Sequence, residues 1–223
     1  MTEKIQCVES FWKDLGKMLS LDDSKIDDIW AIILNKYGEI HRSYHTLDHI
    51  YQLLHLSTKY SNLLVDLNSV NLAIIFHDII YNPNSKQNED DSASLFMDLF
   101  QYHIEQERLE KVCLYIIATK NHLTSIHNED DVDLLYFLDF DLSILGSSPY
   151  DYSVYSLQIR QEYIHIDQDL YCKERSRFLR NLSTKELFLT ELFRQLLGSV
   201  AVENILWECA VLDEGLIPSI RRD

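Results

Sequence analysis

The sequence predicts an all-α protein, organised as a single helical domain over residues 1–223. Three observations carry this reading. Apolar residues recur at steps of three and four along nearly the whole chain. Only 5 glycines and 3 prolines occur in 223 residues, few for a β protein that needs turn residues at each strand end. No segment alternates apolar and polar residues with period two over a useful length.

The helices follow in order. In "EKIQCVESFWKDLGKML" the apolar positions are Ile5, Val8, Phe11, Trp12, Leu15 and Leu19. "SKIDDIWAIILNKYG" continues with Ile26, Ile29, Trp30, Ile33 and Leu34, and Gly38 supplies a stop. After the break "EIHRSYHT", Thr46 can cap "LDHIYQLLHLSTKYS". The next helix is "LNSVNLAIIFHDIIY", which ends before the turn-rich "NPNSKQN". "EDDSASLFMDLFQYHI" opens with acids suited to a helix N-terminus, and "EQERLEKVCLYIIATKNH" follows. Beyond the polar "LTSIHNED" comes "DVDLLYFLDFDLSIL", closed by Gly146. Pro149 starts "YDYSVYSLQIRQEYIHI", and three more helices are expected to the end. No repeat, low-complexity tract or long linker divides the chain.

Composition restricts function. Lys+Arg 20 against Asp+Glu 36 gives a net charge of -16. Such a surface repels nucleic-acid polymers and anionic membranes, and an anionic substrate would need a local cation. Cys7, Cys113, Cys172 and Cys209 form no CxxC pair and sit in apolar-periodic segments. A reduced, cytoplasmic protein with buried thiols is the expectation. The N-terminus has no apolar h-region, and no apolar run looks long enough to cross a membrane.

Three segments place chemistry inside apolar patterns. "YHTLDHI" puts His45 and His49 four apart. "AIIFHDIIYNP" puts His77 and Asp78 at the end of an apolar helix, where an ionised carboxylate costs several kcal/mol unless compensated. Asp78 could pair with an arginine such as Arg42, or accept backbone N–H bonds. "YFLDFDLSILG" interrupts another apolar run with Asp139 and Asp141. Residues two apart on a helix point in different directions, so one of these acids could face a site while the other supports it. A single divalent cation held by His49, His77, Asp78 and Asp141 would account for all three places. It would also supply local positive charge.

These segments resemble the HD superfamily of metal-dependent phosphohydrolases, whose defining residues are a His, an adjacent His-Asp and a later Asp. "RSYHTLDHI", "FHDIIYNP", "NEDDSA", "ATKNH" and "FLDFDLSILG" are similar, in order and spacing, to a bacterial branch of that superfamily. The likeness covers roughly residues 26–165, with helices over 166–223 expected to pack on that core. "YHTLDHI" also resembles the "YHNxxHA" segment of cyclic-nucleotide phosphodiesterases. There the second His binds metal and the first protonates the leaving oxygen.

The resemblance implies a helical HD-domain bundle in which His49, His77, Asp78 and Asp141 ligate a divalent metal: Mn, Mg, Fe, Co, Ni or Zn. It makes His45 a candidate general acid, and Asp78 or Glu89 candidates for handling the proton of a metal-activated water, with an ordinary acid in the first turn of a helix as the alternative for Glu89. His122 sits where some branches bind a second metal or a phosphate; a polar residue at a helix end is the alternative. Arg42, Lys120 and Arg160 are candidate phosphate contacts, with structural ion pairing as the alternative for Arg160. The implied activity is hydrolysis of a phosphoester on a nucleotide or another small phosphorylated metabolite. Partners would be that substrate and, as an option, a second copy in a homodimer. The chain departs from the clear dinuclear branches, lacking their adjacent-His set. It also lacks the long C-terminal binding region of the cyclic-nucleotide enzymes. His41, His55, His103, His127 and His165 match nothing in the motif. The rival readings are a metal and nucleotide sensor without turnover, a di-iron oxygenase of HD type, and a purely structural helical protein.

Overall fold

Trp12 shows how the first two helices meet. In the computed structural model, which describes residues 3–121 and 130–222, α1 (Glu3–Met18) buries Val8, Trp12 and Leu15. The Trp12 indole N–H donates to the carbonyl of Ile26 at 2.9 Å, at the start of α2 (Asp23–Tyr37). Gly16 lets the helices touch: a Cβ there would stand 2.7 Å from Ile26 Cγ1. Asp22 caps α2 by accepting from the Lys25 N–H, and Gly38 ends it with an N–H to Leu34 O.

Thr46 caps α3 (Leu47–Lys59), as its position in the sequence predicts, by accepting from the Asp48 N–H at 3.3 Å. Asp66 caps α4 (Leu67–Phe76), accepting from both the N–H and the hydroxyl of Ser69. Every residue of α4 from Ser69 to Phe76 is buried. A helix apolar on all sides belongs in a core, and α4 packs against α3, α5 (Asn88–Phe100) and α6 (Gln106–Ala118). Phe76 closes it among Trp12, Phe96 and Phe100, with ring centroids 5.2–6.1 Å away. The sequence pattern carries this helix on to Tyr81, but it stops at Phe76. His77 is its C-cap and Asp78 lies in the following turn. Tyr37 pins that end by donating its hydroxyl to Ile75 O at 2.9 Å.

The described helices group into two units, residues 1–137 and 138–223, with the division inside α7 (Val132–Leu142). In the first unit, Asp133 accepts from the N–H groups of Val65 and Asp66 at 2.7 and 2.8 Å and from Lys111 at 3.0 Å. That buried acid is thus fully used in joining α7 to the start of α4.

The second unit contains a 3-10 turn (Ser143–Gly146), α8 (Pro149–Glu162), α9 (Gln168–Ser183) and α10 (Glu191–Asp213). Pro149 is at the start of α8 as expected, and Ser148 caps it by accepting from the Asp151 N–H. Gly146 permits close passage over α10, since a Cβ would sit 2.5 Å from Leu197 Cβ. Two helices follow α8 where the pattern suggested three, because residues 191–213 form one unbroken helix. By length and composition alone α10 is apolar enough to cross a membrane, contrary to the expectation from sequence. It nevertheless buries Asn204 and Glu208 against partners in its own unit.

The all-α class holds: the described residues form helices, turns and bends with no strand. Cys113, Cys172 and Cys209 are buried free thiols; Cys7 is exposed, a correction to the reading that all four are buried.

Candidate metal centre

The end of α4 and the start of α3 bring two imidazoles and a carboxylate together. His49 Nε2 lies 3.3 Å from His77 Nε2. His77 Nε2 lies 3.0 Å from Asp78 Oδ2, and His49 Nε2 lies 4.0 Å from the same oxygen. Both histidines are buried, and the Asp78 side chain is 18% exposed. One ligand atom from each residue fits within a span of 4.8 Å.

The backbone explains why adjacent residues can share this site. On a continuing helix, neighbours project about 100° apart. The helix stops at Phe76, and Asp78 lies in the turn that follows, with Oδ2 beside its neighbour's ring. The His77 tautomer is set by the same helix end. Its Nδ1 lies 2.9 Å from the carbonyl of Ile74, an acceptor only, so Nδ1 carries the proton and donates. Nε2 is then the ring atom turned to His49 and Asp78.

This donor set fits a divalent ion. Two atoms each about 2.1 Å from one ion lie about 3.0 Å apart at right angles and about 3.4 Å apart in a tetrahedron. The two shortest separations match those values, while the third, 4.0 Å, is wider than either, and imidazole with carboxylate suits a first-row divalent metal.

The chain matches no protein-family model, no curated protein and no solved structure. The reading of the site therefore rests on its residues.

His45 borders the group, with Nε2 3.9 Å from Asp78 Oδ2. It precedes α3, before the Thr46 cap, and does not share a helix face with His49. Its ring stacks on Tyr81 at 4.2 Å and meets Tyr44 edge-on at 5.1 Å. Tyr44 also contacts the His49 ring at 4.8 Å. Sequence reasoning missed Tyr81, since a tyrosine five residues past a helix end carries no periodic signal.

Arg42 is not placed to meet a phosphate. Its side chain is fully buried, and its guanidinium donates to Glu39 and to the carbonyls of His45, Asp78 and Ile79. It meets Asp78 through the backbone carbonyl, where the sequence had suggested a carboxylate pair.

The remaining candidates lie on other elements. Glu89 sits half-buried in the first turn of α5. Lys120 pairs with Asp90, whose hydrogen bond raises the lysine pKa. His122, like His127, lies outside the described residues. His41, His55, His103 and His165 are exposed.

Arg160, Asp139 and Asp141 belong to the second unit. Arg160 donates to the carbonyls of Tyr163 and Ile166 and lies over the Tyr171 ring, so it closes the turn after α8. Asp139 holds the entry to α10. One carboxylate oxygen accepts from the Leu189 N–H at 2.7 Å; the other accepts the N–H and hydroxyl of Thr190 at 2.8 and 2.6 Å. Burial pushes its pKa up to about 6 despite these donors. Of the two acids in "FLDFD", Asp139 is thus the one that holds the entry to α10. Asp141 is half-buried near the end of α7.

Proposed function

We propose that the protein is a metal-dependent phosphohydrolase acting on a phosphoester of a nucleotide or another small phosphorylated metabolite. The observation that carries this reading is the convergence of His49 Nε2, His77 Nε2 and Asp78 Oδ2, with the His45 imidazole 3.9 Å from that carboxylate. A proton-transferring group beside a buried ligand set suits hydrolysis better than a purely structural ion site.

His49, His77 and Asp78 would hold the ion. When bound, a divalent ion supplies Lewis acidity toward a phosphoryl oxygen and makes water nucleophilic near neutral pH. The chain does the rest. The His77–Ile74 hydrogen bond orients the ring, so that Nε2 is the atom aimed at the site. Burial of both ligating rings keeps bulk water from competing for the ligand atoms. Asp78, partly exposed, accepts a proton from the attacking water through its second oxygen, or Glu89 does so in its place. His45, braced by Tyr81, donates a proton to the departing oxygen.

The test is direct. Metal-free protein is supplied with Mn, Mg, Co, Ni or Fe and assayed on phosphomonoesters and phosphodiesters, beside an Asp78→Ala variant. Metal-dependent turnover that the variant loses supports the assignment. Equal activity in the variant removes Asp78 from the site, and tight nucleotide binding without turnover under any metal makes the protein a sensor.

A further inference from the structure

Arg42 is used in an unusual way. A buried guanidinium normally faces a carboxylate, because an unpaired buried charge is costly. Here Nε donates to Glu39 Oε2 at 3.2 Å. One terminal nitrogen donates to the carbonyls of His45 at 3.1 Å and Asp78 at 2.7 Å, and the other to Ile79 O at 3.0 Å. Four of its five N–H groups are thereby engaged. The guanidinium carbon lies 5.0 Å from the Tyr37 ring and 5.4 Å from the Tyr81 ring. The carbonyls come from two segments far apart in sequence, the loop before α3 and the turn after α4.

We propose that Arg42 is a positioning residue of the metal centre, a strap that holds the loop carrying His45 against the turn carrying Asp78. The inference rests on the metal reading above. Neither segment is helical at these residues, so neither has a ladder to fix it. A planar fork of fixed geometry spans three carbonyls at once from two nitrogens; a lysine ammonium would have to reach them from a single nitrogen on a flexible stem. Tyr81 couples the strap to the ring it serves, because its ring lies near the guanidinium and also stacks on His45. Glu39, at the end of the same loop, balances the charge without occupying the carbonyl-facing edge.

The experiment compares wild type, Arg42→Lys, Arg42→Ala and His49→Ala as full-length, metal-free chains. Mn(II) and Co(II) binding is measured by calorimetry, with circular dichroism and melting temperature recorded on the same samples. Wild type is expected to bind and His49→Ala to lose binding. Both Arg42 variants should bind roughly 10–100-fold more weakly while folded, the range seen when outer supports of metal ligands are removed. Added guanidinium should recover part of the affinity of Arg42→Ala. If Arg42→Ala does not fold, the charge-preserving Arg42→Lys carries the comparison. Variants that melt earlier yet bind as tightly as wild type overturn the positioning role and leave the metal centre standing. Wild type that binds neither ion overturns the metal reading, and the role of Arg42 with it.

Discussion

His49 and His77, 28 residues apart in sequence, face each other through their Nε2 atoms at 3.3 Å. That separation is short for two ring nitrogens unless a proton or a cation lies between them. With His77 Nδ1–H committed to Ile74, and Asp78 Oδ2 3.0 Å from the same Nε2, a shared divalent ion would satisfy all three atoms at once.

His45 should act in leaving-group protonation and not in metal binding. His45→Ala is expected to lower kcat by about 10²–10⁴ on alkyl phosphoesters, and far less on p-nitrophenyl esters whose leaving group needs no proton. Metal affinity should stay near wild type. Steady-state kinetics on paired substrates, with calorimetry for the metal, check this. A uniform loss on both substrates would contradict the role.

Asp139 should act in stability. Asp139→Ala should leave the N–H groups of Leu189 and Thr190 without their acceptor and lower stability by about 1–3 kcal/mol per lost buried bond. Urea unfolding is the measurement, and an unchanged unfolding free energy would contradict the role.

Asp66 should make stability depend on acid pH. Burial alone would raise its pKa, but hydrogen bonds from Ser69 and the charge of Arg108 outweigh that and hold it below the usual value. A carboxyl with a folded pKa below its unfolded one contributes fully above the unfolded value, about 3.9. The contribution fades as pH falls through the lower folded value. Asp66→Ala, which also removes the cap of α4, should cost about 1 kcal/mol at pH 7. The gap from wild type should narrow below about pH 4. Unfolding free energies at pH 3, 4, 5 and 7 test it, and a pH-independent gap would refute it.

Glu208 and Arg175 form the buried ion pair of the second unit, at 3.0 Å, with the Tyr152 hydroxyl donating to Glu208 at 2.7 Å. Arg175→Ala should destabilise by about 3–5 kcal/mol, because it strands a buried carboxylate. The double variant Arg175→Met, Glu208→Leu should recover much of that loss. A double-mutant cycle in urea decides; a double variant no better than the single would contradict the argument.

Local rules accounted for most of the helices. Periodicity placed them, and the cap Thr46 and the helix-starting Pro149 sit where their chemistry requires. The oddity of His77-Asp78 inside "AIIFHDII" was also visible, because charge in an apolar helix has few explanations. The stop of α4 at Phe76 was not legible, since apolar residues continue to Ile80. Nor was the use of Arg42: its partners are backbone carbonyls, which every residue carries and no pattern marks. Asp139 and Asp141 look alike in "FLDFD" until the Leu189–Thr190 backbone meets one of them.

By itself, then, the sequence determined the helical class, most helix starts, and the residue types that could gather a metal, all consequences of spacing and side-chain chemistry along the chain. Tertiary structure alone decided which atoms meet: His49 with His77, Arg42 with three carbonyls, Asp139 with the entry to α10. The reason is that these partners are distant in sequence, and only packing of the helices brings donor and acceptor within hydrogen-bonding range.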